Sequence, residues 1–574
     1  MSASKHKISL LYPDFDGVSY SLLSARELHD LGIDQFCRGV SSSEKEQNLV
    51  SAVFASVTSD YRVAKYRADI FEDLYQNKDT RNFIKDLLEQ IQVIKDFGIL
   101  RKEIDKKTGL WGLLHKLDSI SDYIKCVESL RELLSNDKLT SDGLKDLREY
   151  VNQVYEDSMF EAMKEDISRI KVETSNLQSV TVGINLNERF EARSIGLVSV
   201  NSEPFVSSGI VSSFSKALAS KDNIKPTSQW DGDMHYEPID VASGGLPGRL
   251  EKMAGFTMLQ NLPAANAEVR NTIVNMPEDD TSQDVTYYLE RVAGKMLNHT
   301  SKRLREILLK YASISISDVT NLVPEFKFFI LMTEYVEKLR ADGYVFNKAS
   351  VSSDEASTSM DAEDFYNLKL LGKPSSEIVP NDLTFDEDNC VYVLTGANRG
   401  GKTTLTQAVG QLFVLAQAGV YVPCKAFSYR PVDHVFTHFP ADEDKTLDLG
   451  RLGEECQRFK EIYKAATAQS LVLLNETFST TSFEEGYYIA KDSVRALLAK
   501  SIRTIYNTHM HKLAMELDSI DCGDKKRSAT SLVMQTNSGE RSFKVKLAPP
   551  EGSSFAHDIA VKYGVTFEML TGDK

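Results

Sequence analysis

The stretch "TGANRGGKTTL" at residues 395–405 carries the spacing G-x-x-x-x-G-K-T. Gly396, Gly400 and Gly401 lack Cβ atoms, so successive backbone N–H groups can turn inward around an anion. Lys402 can reach the outer phosphates of a nucleotide, the Thr403 hydroxyl suits Mg²⁺, and Thr404 follows in the first helical turn. The helix that starts there adds its positive dipole end. The motif requires a strand before it and a helix after it. "CVYVL" at 390–394 is a short apolar, β-branched run of the kind that forms a buried parallel strand. Leu405, Val409, Leu412 and Ala416 then recur at helical spacing. A chance match in a loop would have neither flank, so the expectation is a phosphate-binding loop in an α/β domain.

A phosphate loop becomes an ATPase only when a second strand brings a carboxylate to the water and the metal. "SLVLLNETFS" at 470–479 meets that need: four apolar residues end in Asn475 and Glu476. Glu476 at a strand tip could be an ordinary solvated carboxylate, but its place after the phosphate loop favours a general base. Asn475 stands where an Asp normally supports Mg²⁺, and a neutral amide predicts weaker metal binding. A third strand, "RTIYNTHMHKL" at 503–513, ends near His509. In isolation this would read as a surface histidine. After a third parallel strand it can contact the γ-phosphate or position the water. His511 receives no role.

With 574 residues the chain exceeds one core, and two to four domains are expected. Hydrophobic and charged contents of 42% and 26% are ordinary for a soluble protein. No apolar run has the length of a bilayer span, and "MSASKHKISLLYPDFDG" is not a signal peptide. The six cysteines, at 37, 126, 390, 424, 456 and 522, include no C-x-x-C pair. They predict reduced thiols in a cytoplasmic protein rather than a zinc site. The formal charge of −16 does not advertise a nucleic-acid-gripping stripe.

Helical periodicity dominates the first 170 or so residues. "FIKDLLEQIQVIKDFG" sets Ile84, Leu87, Leu88, Ile91 and Ile94 on one face, and "ISDYIKCVESLRELL" does so with Ile120, Ile124, Val127, Leu130 and Leu134. Residues 172–206 turn rich in Val, Ile and Thr, which predicts a small β insertion. After the turn "SGGLPGR" (243–249), "DVTYYLERVAGKMLNHTSKRLREILLKYA" at 284–312 predicts a helix of seven turns or more. Another helix is expected from near Pro324 to Gly343, through Phe328, Leu331 and Val336. The Ser- and acid-rich "SVSSDEASTSMDAED" (350–364) reads as a flexible linker. Strands then alternate with helices, the pattern of a mostly parallel sheet.

Together these segments resemble the ATPase domain of the MutS family of DNA mismatch-repair and recombination proteins. "TGANRGGKTTL", including Asn398, resembles the family's T-G-x-N-x-G-G-K-S/T loop. "LVLLNETFSTTSFEEG" resembles its second acidic strand and the loop beyond, with Glu476, Thr481, Ser482 and Gly486 on matching positions. "NTHM" resembles its A-T-H motif at His509, and "EIVPNDLTF" (377–385) resembles the approach to the nucleotide pocket. The resemblance is dense over 366–515 and weaker in "SSFAHDIAVKYGV" near the C-terminus. It implies ATP and Mg²⁺ as cofactors, adenine contacts from Pro380 and Asn381, and a homodimer joined through the ATPase domains. Double-stranded or branched DNA and other repair proteins are the implied partners, with no membrane. It also implies a multidomain fold: a helical core over 1–170, a clamp-like insertion over 171–285, lever helices over 286–349, a linker over 350–364 and the P-loop ATPase over 365–574.

The departures are specific. Helical-core sequence begins almost at once, so a short member without the mismatch-reading domain is expected. The tripeptides Phe385-Asp386-Glu387 and Phe459-Lys460-Glu461 match that domain's Phe-x-Glu wedge only by chance, inside the ATPase region. The family's Ser-Thr pair that completes a partner's site falls at Gly450-Arg451, where Arg451 could supply charge in trans. Glu455 matches an acidic family position. The chain ends at Lys574, too early for much of a dimerisation module.

Three readings follow. One is a dimeric ATP-driven clamp on repair or recombination DNA, without mismatch reading. Another is a nucleotide-gated switch that binds proteins and has little DNA affinity. The third, a different ATP-binding-cassette machine, lacks its L-S-G-G-Q signature. Lys302, Arg303 and Arg305 cluster on the long helix, yet such a cluster is commonly a solvated face.

Overall fold

In a computed structural model of the protein, the described residues are 8–94, 110–136, 138–175, 179–186, 188–189, 192–201, 274–275, 298–311, 317–354, 359–397, 399–440, 450–520, 527–537, 540–550, 561 and 563–571. Their helices are α1 (Ala25–Leu31), α2 (Ile33–Val40), α3 (Glu44–Ala55), α4 (Tyr61–Gln76), α5 (Lys78–Ile94), α6 (Leu110–Leu134), α7 (Asp142–Glu156), α8 (Ser158–Ser175), α9 (Asn298–Tyr311), α10 (Ser317–Ala341), α11 (Lys402–Gln417), α12 (Gly450–Ala465), α13 (Phe483–Ala499), α14 (His511–Met515) and α15 (Phe567–Thr571). Their strands are β1 (Ser21–Leu22), β2 (Ser56–Val57), β3 (Ser179–Leu186), β4 (Ala192–Asn201), β5 (Val274–Asn275), β6 (Ser350–Val351), β7 (Met360–Phe365), β8 (Asn381–Phe385), β9 (Asn389–Thr395), β10 (Ala426–Tyr429), β11 (Val435–His438), β12 (Leu471–Asn475), β13 (Arg503–Asn507), β14 (Ser528–Asn537) and β15 (Glu540–Leu547).

The chain divides into two compact units, one of Met1–Asp86, Leu133–Tyr150 and Asn321–Lys574, the other of Leu87–Glu132 and Val151–Thr320. In the first, a six-stranded sheet runs β11-β12-β13-β9-β14-β15. Strands β11, β12, β13, β9 and β14 are parallel, and β15 closes the edge antiparallel. The apolar runs read as buried strands are buried: Val391, Val393, Leu394 and Leu471 to Leu474 are all inaccessible. A second sheet, β6-β10-β7-β8, lies in the same unit.

Helix α11 explains why the N-terminal residues belong to this unit. The sheet covers one side of it, yet all but two of its residues are buried, Thr403 and Thr404 being the exceptions. Helices α1, α3 and α4 cover the rest. Gln407 Nε2 donates to Asp30 O at 2.6 Å and Gln411 Nε2 to Leu31 O at 2.7 Å, so two carbonyls at the end of α1 are satisfied. Gln417 Nε2 donates to Thr58 O at 3.0 Å. Fully buried Arg67 on α4 donates to Leu11 O at 2.6 Å and Gln417 O at 3.0 Å, joining the N-terminal segment to the end of α11. The expected boundary between the helical segments and a domain over 365–574 is thus not where the chain divides: Met1–Asp86 and Asn321–Lys574 belong to one compact unit.

Two other expectations change. The segment expected as a linker over 350–364 contains β6 and most of β7. Met360, Ala362 and Phe365 point inward while Asp361 and Glu363 are exposed, so the acidic residues are the solvated face of a strand rather than a sign of disorder. Residues 355–358 lie outside the described residues. Helix α10 starts at Ser317, ahead of Pro324, and includes that proline in its second turn. Its C-terminal end agrees with expectation, and Phe328, Phe329, Met332 and Val336 are buried.

In the second unit the face read on α6 is buried as expected at Ile120, Ile124, Val127 and Leu130. Arg131 lies 4.1 Å from the ring centre of Tyr155, and Tyr311 Oη donates to Asp166 at 2.6 Å. The β insertion is present as β3-β4-β5, antiparallel throughout. Most of the expected clamp-like insertion, the turn at 243–249, and the long helix before Asn298 lie outside the described residues. No helix among the described residues is long and apolar enough to cross a membrane. Cys37, Cys126, Cys390 and Cys424 are buried free thiols and Cys456 is half-buried; Cys522 is not among the described residues.

Candidate functional site

The carboxyl ends of β9, β12 and β13 open onto a cavity of about 390 Å³. This is where parallel α/β sheets bind ligands, because the loops and helix N-termini converge there. Arg399, Gly400 and Gly401 and the first turn of α11, Lys402 to Leu405, line it on one side. Gly396 and Gly401 have φ of 138° and 97°, conformations that L side chains rarely adopt. Lys402 is buried, its Nζ donating to Gly396 O at 3.1 Å and Ala397 O at 3.3 Å. Burial holds its pKa below the usual lysine value, partly offset by Glu476. An ammonium held inside its own loop is poised for an anion.

Thr403 Oγ1 donates to Asn475 Oδ1 at 2.9 Å. Across the cavity, Glu476 Oε1 lies 2.7 Å from His509 Nε2. That hydrogen bond, more than the nearby Lys402 charge, keeps the Glu476 carboxyl below its ordinary pKa despite burial, so it is ionised at neutral pH. Lys402, Thr403, Glu476 and His509, read from three separate sequence segments, therefore line one cavity.

The backbone around Glu476 is strained. Glu476 and Phe478 have φ of 53° and 63°, each costing about 1–3 kcal/mol for a residue with a Cβ. Neighbouring groups fix the segment. Glu476 N donates to Asn507 O at 2.8 Å, Tyr506 Oη donates to Thr477 O at 2.9 Å, and Phe478 N donates to Glu455 Oε2 at 2.7 Å. Burial raises the Glu455 pKa, against the hydrogen bonds it accepts from Phe478 and Thr480. Buried His438 completes the support. Its Nε2 faces Glu455 O at 3.2 Å and must donate, so Nδ1 accepts from Thr477 Oγ1 at 3.0 Å. Desolvation lowers its pKa to about 4.

Several expected residues are placed differently. Asn398 lies outside the described residues. Pro380 does not line the cavity, whereas Val379 and Asn381 do. The Asn381 amide is engaged elsewhere: Nδ2 donates to Phe543 O at 3.0 Å and Oδ1 accepts from Val545 N at 2.8 Å. This ties β8 to β15, so Asn381 shapes the cavity wall with its side chain already partnered. Arg451 is exposed near the start of α12 and does not line the cavity of its own chain. Sequence reading passed over Asn507, Arg399, Met534 and Phe543. Asn507 stands in the quoted third strand, and its importance comes from register, which pairs it with Asn475.

The family description "MutS domain V" matches residues 392–562, and "MutS2 N-terminal domain" matches residues 59–342. A DNA mismatch repair protein MutS 2 from Halobacterium salinarum is 37% identical over 152 residues, 26% of this chain and 18% of that protein. An Endonuclease MutS2 from Finegoldia magna is 24% identical over 315 residues, 53% and 39% of the two chains. A DNA mismatch repair protein MutS from Staphylococcus haemolyticus is 24% identical over 413 residues, 70% and 42%. The chain thus spans less than half the length of these relatives. The matches cover both the phosphate-loop domain and the helical segments before it, and the chain belongs to the MutS family.

Proposed function

We propose that the protein binds and hydrolyses ATP in this cavity and uses the cycle to act on DNA in repair or recombination, as a dimeric clamp without mismatch reading. The observation that carries the proposal is the ionised Glu476 held 2.7 Å from His509 opposite buried Lys402. The phosphates would rest on the N–H groups from Gly396 to Thr404, with Lys402 on the β and γ oxygens. Glu476 would accept the proton of the attacking water, and His509 would orient that carboxylate and sense the γ-phosphate. The Thr403 oxygen would be the protein ligand of Mg²⁺, and a weak one, because Asn475 behind it is neutral and its amide oxygen is already bonded to Thr403 and Asn507; when bound, the cation would neutralise phosphate charge. Exposed Arg451 would approach the γ-phosphate of a second copy, so ATP would close the dimer and hydrolysis would release it.

Steady-state ATP hydrolysis by the wild type and Glu476→Ala, with and without duplex and branched DNA at two salt concentrations, tests this. The expected result is turnover at least about 100-fold lower in the variant. A DNA response in the wild type that weakens with salt is also expected. Glu476→Ala turning over like the wild type would remove the base. The net charge of −16 favours a second reading, a protein-binding switch with little DNA affinity. Hydrolysis indifferent to every DNA at both salts would select it.

A further inference from the structure

Two amides stand at the end of the parallel sheet where a triphosphate site ordinarily has one carboxylate. Asn475 closes β12 and Asn507 closes β13, and the register sets them directly abreast. Both are buried, Asn507 completely. Asn475 Oδ1 accepts a hydrogen bond from Thr403 Oγ1 at 2.9 Å and another from Asn507 Nδ2. An amide oxygen has two lone pairs, and here both are used. Asn507 Nδ2 also lies 3.4 Å from Thr403 Oγ1, while its Oδ1 is buried without a hydrogen-bond partner. The Thr403 proton is directed to Asn475 and one hydroxyl lone pair faces Asn507 Nδ2, which leaves the other lone pair for the cavity.

We propose that Asn475 and Asn507 together build a charge-neutral metal position with one protein ligand, Thr403 Oγ1, and that this chain therefore binds nucleoside triphosphate almost equally well with and without a divalent cation. A carboxylate at 475 would repel metal-free phosphates and so make binding depend on the cation. An amide does neither. Asn507 is a positioning residue: by occupying the second lone pair of Asn475 it prevents that oxygen from reaching a metal or its water. A carboxylate, with about four acceptor sites, could bond Thr403 and Asn507 and still hold a metal-bound water. The proposal rests on reading the cavity as an ATP site.

The test is equilibrium binding of a fluorescent ATP analogue to the full chain in Mg²⁺ and in EDTA, for the wild type, Asn475→Asp and Asn507→Ala. The wild-type Kd is expected to differ by less than about threefold between the two buffers, and that of Asn475→Asp to weaken at least about tenfold in EDTA. Asn507→Ala should fall between them, because one lone pair of Asn475 is freed. Asn475→Asp is isosteric and carries the test if Asn507→Ala does not fold. A tenfold Mg²⁺ requirement in the wild type overturns the proposal but leaves the ATP reading standing. An Asn475→Asp variant as indifferent to Mg²⁺ as the wild type also overturns it, and a folded Asn507→Ala variant indistinguishable from the wild type overturns the role given to Asn507. Absence of binding in both buffers overturns the ATP reading and the proposal with it.

Discussion

His438 stays neutral because it is buried with both ring nitrogens bonded, Nε2 to Glu455 O and Nδ1 to Thr477. In the unfolded chain it would take a proton near pH 6.5, in the folded chain only near pH 4. Between those values the unfolded state binds more protons, so stability falls as the solution is acidified. The shift corresponds to roughly 3 kcal/mol lost across that window. Urea midpoints measured from pH 7 to 4 should fall for the wild type and fall less steeply for His438→Gln. Glu455 offers a second residue-scale prediction. Glu455→Ala removes the acceptor of the Phe478 N–H, and an unsatisfied buried group costs about 1–3 kcal/mol. Turnover should drop with nucleotide affinity kept, because the backbone that aims Glu476 relaxes while the phosphate loop does not. An unchanged kcat would show that Glu455 does not position the base. At this scale the sequence disclosed Lys402, Thr403, Glu476 and His509, since each follows a readable strand or glycine loop. It did not disclose Asn507, whose partner is 32 residues away and meets it only through strand register.

Helix α11 sits between the sheet and α1 with almost no clearance. A Cβ on Gly410 would lie 2.4 Å from Leu31 Cδ2 and 2.8 Å from Leu473 Cδ1. Gly410→Ala should therefore destabilise by about 1–3 kcal/mol through overpacking, although alanine is the better helix former. A melting temperature equal to or above the wild type would refute that contact. The strands β9, β12 and β13 were legible because buried parallel strands read as continuous apolar runs. Strand β7 was not, since "MDAEDF" presents its acids on one face and its apolar residues on the other, within a Ser-rich surround that resembles a linker. The start of α10 was misplaced because proline is ordinarily tolerated in a helix's first turn, whereas Pro324 lies eight residues into α10.

The first compact unit joins residues from both ends of the chain. Helices α1, α3 and α4 cover the side of α11 that the sheet does not, and Arg67 fastens Leu11 to Gln417. A fragment of residues 363–574 alone would expose that side of α11. It should aggregate or melt without a cooperative transition, whereas the full chain should melt cooperatively; circular dichroism on heating distinguishes the two. A fragment as stable as the whole chain would show that the N-terminal helices add nothing to the core around α11.

By itself, the sequence determined the glycine-rich loop before α11, the three parallel strands that present the cavity, and the residue types proposed to carry acid–base and anion chemistry. Those features are local: glycine spacing, apolar runs and residues at strand ends depend on neighbours in the chain. Tertiary structure decided the rest. It set Asn475 against Asn507 and bent the backbone at Glu476 and Phe478 into left-handed conformations held by Glu455. It engaged Asn381 with β15 and placed the first helices in the same core as the last strands. Each is a contact between residues distant in sequence, selected by burial and by the cost of leaving buried polar groups unpaired, and neither periodicity nor spacing encodes it.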